Sequence, residues 1–98
     1  MNVENLVLLD NLSKHYQIEI TFFSNLNEMG LLHIIIIDNY KYIHVDQIQD
    51  LEKMIRMHNE LEINIEGIDV INQLLQRVDN LNEEIISLKN RLNFYENE

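Results

Sequence analysis

The stretch whose reading decides the fold is IEITFFSNLNEMGLL, Ile18–Leu32. Read as a strand, Ile18, Ile20 and Phe22 alternate with Glu19, Thr21 and Phe23, the two-residue period of a pleated surface. Read as a helix, Ile18, Phe22, Leu26 and Met29 fall on one face, and Gly30 supplies a C-terminal stop. A helix that reads DNA carries Lys or Arg toward the phosphates and bases. This one would carry only Glu19 and Glu28 as its charged residues.

Outward from that stretch, the C-terminal side turns β-branched. LLHIIII and YKYIHV read as strands, and the DNY between them is turn chemistry, so a hairpin is expected. On the N-terminal side, VLLDNLSKHY places Leu9, Leu12 and Tyr16 in helical register, with Asp10 available as a cap. Residues 46–60, DQIQDLEKMIRMHNE, read as a helix capped by Asp46. Its apolar stripe is Ile48, Leu51, Ile55 and His58, widened by Met54, Met57 and Leu61. LEINIEG then breaks the pattern: Leu61, Ile63 and Ile65 alternate, and Gly67 interrupts.

From Ile68 the chain reads as one long helix with a heptad repeat. Positions a are Ile71, Val78, Ile85 and Leu92, and positions d are Leu74, Leu81, Leu88 and Tyr95. Largely β-branched residues at a with Leu at d is the pattern of a two-stranded coiled coil. Glu84 and Arg91 at g face Lys89 and Glu96 at e of a parallel partner. Near Ile68, Ile71 and Leu75 the stripe can pack on the chain's own core. Beyond Val78 little chain remains to cover it, which points to a homodimer.

Composition narrows the classes. With 98 residues, 46% of them hydrophobic, the chain reads as one globular domain with a helical extension, divided as 1–65 and 66–98. It has no Cys and no Pro, which removes disulfides, thiol chemistry and a Cys-based zinc site. The longest apolar run is too short to cross a membrane, and the N-terminus lacks the basic region and cleavage site of an export signal, so a cytoplasmic protein without membrane attachment is expected. The net charge is −10. Residues 46–98 hold twelve acids against five bases, and Asp46 to Asp69 alone hold seven acids against Lys53 and Arg56. Such a balance disfavours nucleic acid, whose binding needs cations to displace counterions, and favours a basic protein surface. The plain alternative is that the acidic run only solvates a helix face.

Taken together, the chain resembles the winged helix-turn-helix of the MerR-like superfamily. LLDNLSKHYQIEITFFSNLNEMGLL lies where those proteins have two helices and a Gly-Leu stop. NYKYIHVDQIQDLEKMIRMHNEL lies where they have the wing and the next helix. Within the superfamily it is most similar to the CbpM chaperone-modulator family. That likeness rests on DLEKMIRMHNELEINIEGIDVINQLLQRVDNLNEEIISLKNRLNFY, and is tighter over residues 48–95 than over 1–45. The resemblance implies a mainly α fold with a small β-hairpin: a winged helix-turn-helix module followed by a long C-terminal coiled-coil helix. It selects the helical reading of Ile18–Met29 and puts the wing at residues 32–37 and 40–45. It implies a protein partner, the J-domain of a DnaJ-like co-chaperone of the CbpA type, which is bound and inhibited. The rival it leaves open is a MerR-like DNA-binding transcriptional regulator, and a coiled-coil adaptor without a chaperone link is a third. MerR relatives pair their long helices antiparallel, against the g–e pairing above, so the direction stays open.

The candidate partner-binding residues are Asp46, Asp50, Met54, Met57, Glu60, Leu61 and Glu62, where acids and apolar side chains share the third helix and its exit. Asp46 and Asp50, four apart, would share a helix face. The dimerisation residues are the eight at a and d. His15, His33, His44 and His58 form no ligand pattern, and His58 reads as a half-buried helix residue. With Gly30 and Gly67 the only glycines, there is no phosphate loop, and no nucleophile–base set stands out. No enzyme activity, cofactor or metal is expected.

Overall fold

The computed structural model describes residues 5–96. Among them run β1 (Leu6–Leu8), α1 (Leu9–Tyr16), α2 (Ile20–Glu28), β2 (Ile35–Ile37), β3 (Tyr40–His44), α3 (Ile48–Glu60) and α4 (Ile65–Glu96), with a 3-10 turn at Val45–Gln47 between β3 and α3. This is a mainly helical winged helix-turn-helix with a small antiparallel sheet and a long C-terminal helix.

The contested stretch is helical from Ile20 to Glu28, starting two residues after the expected Ile18 because Glu19 is the extended N-cap, and burial explains why it is helical. Ile18, Phe22, Phe23 and Leu26 all enter the core, Phe23 and Leu26 completely. A strand would have turned Phe22 and Phe23 to opposite sides of a sheet; a helix turns both inward. Each such burial is worth about 1.5–3 kcal/mol, more than the few tenths by which β-branched and aromatic residues disfavour a helix. The helix ends in a Schellman turn. Gly30 has φ +76°, its N–H donates to Asn27 O at 3.1 Å, and Leu31 N–H donates to Leu26 O at 2.9 Å. That reversal lifts Met29 off the inner face expected for it and leaves it 40% exposed.

The preceding helix differs at its start. Leu8, not Asp10, occupies the N-cap position, with no side-chain cap; Asp10 sits in the first turn, where its charge favours the helix dipole. The cause is β1, a strand absent from the sequence reading, which runs directly into α1. At the other end Gln17 takes a left-handed conformation, φ 56°. Its N–H and that of Ile18 both reach Ser13 O, and the Ser13 hydroxyl donates to Ile18 O, so a non-glycine residue is held in the turn between α1 and α2.

The sheet has the order β1-β3-β2. Asp38 and Asn39, both at positive φ (51° and 68°), close the β2–β3 hairpin as a two-residue type I′ turn. The strands are shorter than the expected wing: Leu32 is a core residue, and Val45 already begins the 3-10 turn. Register sorts the two faces. Val7 pairs with Ile43, which is fully buried, and Ile36 pairs with Lys41 on the same side beyond the core. On the opposite side Leu8, Tyr42 and Ile35 stand in one row, flanked by Leu6 beside His44 and by Tyr40 beside Ile37.

At the start of α3 the expected cap is displaced. Asp46 lies in the 3-10 turn and is not the N-cap of a helix; its own N–H is accepted by His44 Nδ1 at 3.2 Å. α3 buries Leu51, Met54 and Ile55. It is tied to α1 by Tyr16, whose hydroxyl donates to Glu52 Oε1 at 2.7 Å. Just before it, Gln47 clamps His33 by accepting from its N–H (2.8 Å) and donating to its carbonyl (3.0 Å). The exit turn places Glu62 at φ 54° and donates Ile63 N–H to Met57 O at 3.0 Å.

α4 starts earlier than Ile68. Asn64 is its cap, accepting the Gly67 N–H on Oδ1 at 2.8 Å, and Ile68 N–H makes the first full-turn bond to Asn64 O. Gly67 therefore does not interrupt the helix but sits in its first turn. Ile65 and Ile68 pack on the core, which comprises Leu9, Leu12, Ile18, Phe22, Phe23, Leu26, Leu32, Ile43, Leu51, Met54, Ile55 and Ile68. The compact unit ends at Ile68, and the residues from Asp69 form a second unit, a bare helix.

Candidate functional site

In a helix-turn-helix the second helix and the wing are what meet a partner, so their outward side chains define the site. On α2 the exposed residues are Thr21, Asn25, Asn27 and Glu28, with Glu19 just before and Met29 just after. Asn27 is already engaged, its Oδ1 accepting Ile34 N–H at 3.0 Å, which ties the end of α2 to the wing. The hairpin adds Asp38 at its tip and Lys41 on β3; Lys14 lies on α1. Two cations thus stand against Glu19, Glu28 and Asp38.

Beside α2 lies an open groove of about 340 Å³, lined among others by Glu19, Thr21, Phe22, Asn25, His58 and Ile65. His58 stacks on Phe22 with ring centroids 4.6 Å apart and planes at 28°, and its Nδ1 is 3.3 Å from Ile63 O. It is exposed rather than half-buried: stacking covers one ring face and leaves the edge to solvent. Tyr16 has its phenol pKa pushed up, first by loss of solvation, then by its bond to Glu52 and the charge there. Among the described residues no three His, Asp or Glu side chains gather in a way that would hold a metal.

The residues expected to bind a partner are not all at the surface. Met54 is 1% exposed and belongs to the core, so it cannot touch a partner. Met57 is half-buried, while Asp50, Glu60, Leu61 and Glu62 are exposed. Asp46 and Asp50 do not share a helix, because α3 begins at Ile48. The outermost stripe of α3, at the spacing i, i+4, i+7, i+11, is Gln49, Lys53, Arg56 and Glu60, so two cations occupy its middle.

On α4 the a and d residues are open to solvent in the single chain. Leu74, Val78, Leu81, Ile85, Leu88, Leu92 and Tyr95 are 48–68% exposed, and Ile71 is half-buried. A second apolar surface escaped the sequence reading: the outer sheet face of Leu6, Leu8, Ile35, Ile37, Tyr40 and Tyr42. Its one visible sign was Ile34–Ile37, where four apolar residues in a row leave no side of a strand polar.

This architecture is that of a winged helix-turn-helix module. Residues 7–90 match the family described as MerR HTH family regulatory protein, and the chain belongs to that family. No curated protein and no solved structure matches the chain. None of the helices among the described residues is long and apolar enough to cross a membrane.

Proposed function

We propose that this member of the MerR family regulates by binding a protein, the J-domain of a DnaJ-like co-chaperone of the CbpA type, and that it does so in the cytoplasm, without catalysis or cofactor, as a homodimer paired through α4. The observation that carries this reading is the outward face of α2, which presents two acids and no cation. The net charge of −10 supports a basic partner, and the resemblance of residues 48–95 to CbpM chaperone modulators supports the J-domain in particular.

Family membership fits DNA binding equally well, so the second reading is a transcriptional regulator. Electrostatics weigh against it. Lys14 and Lys41 could neutralise two phosphates, which limits the salt slope to about −2, whereas specific DNA binders use several more contacts. Calorimetry with a purified J-domain should give saturable one-to-one binding per chain, and a gel-shift titration with promoter DNA should give none that is both tight and salt-sensitive. Nanomolar, salt-dependent retardation of a promoter fragment together with no heat from the J-domain would reverse the assignment.

A further inference from the structure

The three-stranded sheet has two apolar faces, and among the described residues only one of them packs on the core. Antiparallel sheets with one side in water alternate apolar-in with polar-out. Here the inner side, Val7 and Ile43, closes over the core. The outer side should be polar, and is not: Leu8, Tyr42 and Ile35 form a continuous cross-strand row, with Leu6 on one flank and Tyr40 and Ile37 on the other. Among the described residues, none of these six belongs to the core or packs against it. Five are half-buried, and Tyr40 at the wing tip is 57% exposed. A contiguous apolar surface rich in Tyr, carried on a rigid sheet, is what protein interfaces use as anchors.

The charges around this face set the chemistry of its partner. Asp38 lies in the hairpin turn at one end of the face, and Asp46 follows His44 at the other, its side chain 86% exposed. The hairpin's one cation, Lys41, pairs with Ile36 and so belongs to the opposite face. The surface is thus apolar in the middle, with Asp38 at one end and, at the other, Asp46, whose Oδ2 lies 3.3 Å from Nδ1 of His44 on the same face. We infer that the outer sheet face, rather than the charged stripe of α3, is the docking surface for the regulated protein, and that it takes a surface of aliphatic side chains flanked by Lys or Arg. A polyanion has no purchase there. Identifying this partner with the J-domain rests on the function proposed above.

Methyl NMR on the full chain, titrated with unlabelled purified J-domain, reads the contact directly without any substitution. The inference expects the methyl signals of Leu8, Ile35 and Ile37 to shift or broaden first, with those of Leu61 and the core-facing Ile43 little changed. A paired substitution, Ile35→Lys with Tyr40→Lys, should weaken J-domain binding at least tenfold, while Asp50→Lys with Glu60→Lys changes it less than threefold. If the wild-type chain binds but the shifts fall on Leu61 or the α4 methyls, the sheet surface is wrong and the proposed function stands. If the wild-type chain binds no J-domain, both fall. If the sheet methyls shift on raising the concentration of the chain alone, a second copy occupies the face and the inference is overturned.

Discussion

The two glycines do different work, and substitution separates them. Gly30 needs its backbone: at φ +76° an L side chain is strained, yet a Cβ there would meet nothing within 4 Å. Gly67 needs its space: its φ is ordinary, but a Cβ would lie 2.7 Å from Ile63 Cγ2 and 3.1 Å from Asn64 Oδ1. Ile63 is β-branched and stiff at χ1, so it yields poorly. Gly30→Ala should cost about 1 kcal/mol, and Gly30→Asn less, since Asn tolerates the left-handed region. Gly67→Ala should cost about 1–2 kcal/mol despite the higher helix propensity of Ala, and Gly67→Asn more than Gly67→Ala. Urea melts of the four variants check the crossed order. Tyr16 gives a second residue-scale test. Its folded-state pKa is raised, so the neutral phenol is the form the fold favours. Its contribution is whole below the ordinary value of about 10 and fades as pH rises through the higher folded-state value. Tyr16→Phe should therefore cost under about 1 kcal/mol at neutral pH, and the gap to wild type should close above pH 10. A gap that stays constant with pH would place the effect elsewhere.

Among the elements, α4 carries the plainest expectation. Replacing Ile85 and Leu88 with Asp puts adjacent charges into the proposed seam, where unpaired burial is costly. Light scattering should then find a monomer whose far-ultraviolet dichroism still reports a folded head. A wild type that is already monomeric at high micromolar concentration would end the dimer proposal. The helices of this fold were readable because their apolar spacing recurs: Leu51, Ile55 and the heptads of α4 needed no tertiary knowledge. The stretch Ile18–Leu32 was not readable from period alone, because both periods fit it and only the burial of Phe23 decides. β1 was invisible for a related reason. Three residues, Leu6–Leu8, are too few to show a period, and they abut a helix whose register they also satisfy. Missing β1 hid the sheet's third strand, and with it the apolar outer face. The caps at Asp10 and Asp46 were misplaced because good capping residues stood near the true starts, and the chain began its helices from β1 and from the His44 turn instead.

At the scale of the whole molecule, the acid is a general property rather than a patch. The run from Asp46 to Asp69 looked like one charged surface, yet folding spreads it over a 3-10 turn, α3, the exit turn and the first turns of α4, with Lys53 and Arg56 in between. Association with a basic partner should accordingly slow as salt rises, while no single acid-to-neutral change abolishes it; stopped-flow rates of single variants across ionic strength measure this. A site-by-site reading of the sequence could not distinguish a field from a site, since spacing along the chain does not fix position on a surface. The way α4 is rooted also bears on where the chain can be cut. By packing, the head ends at Ile68. By hydrogen bonding it does not, because the carbonyls of Ile65, Glu66, Gly67 and Ile68 take their partners from the following turn, residues 69–72. A fragment truncated after Ile68 would leave those carbonyls open, and the turn that buries Ile68 would fray. A fragment ending at Gln76 keeps them satisfied, and should melt about 5 °C higher than one ending at Ile68, although the residues added lie outside the compact head.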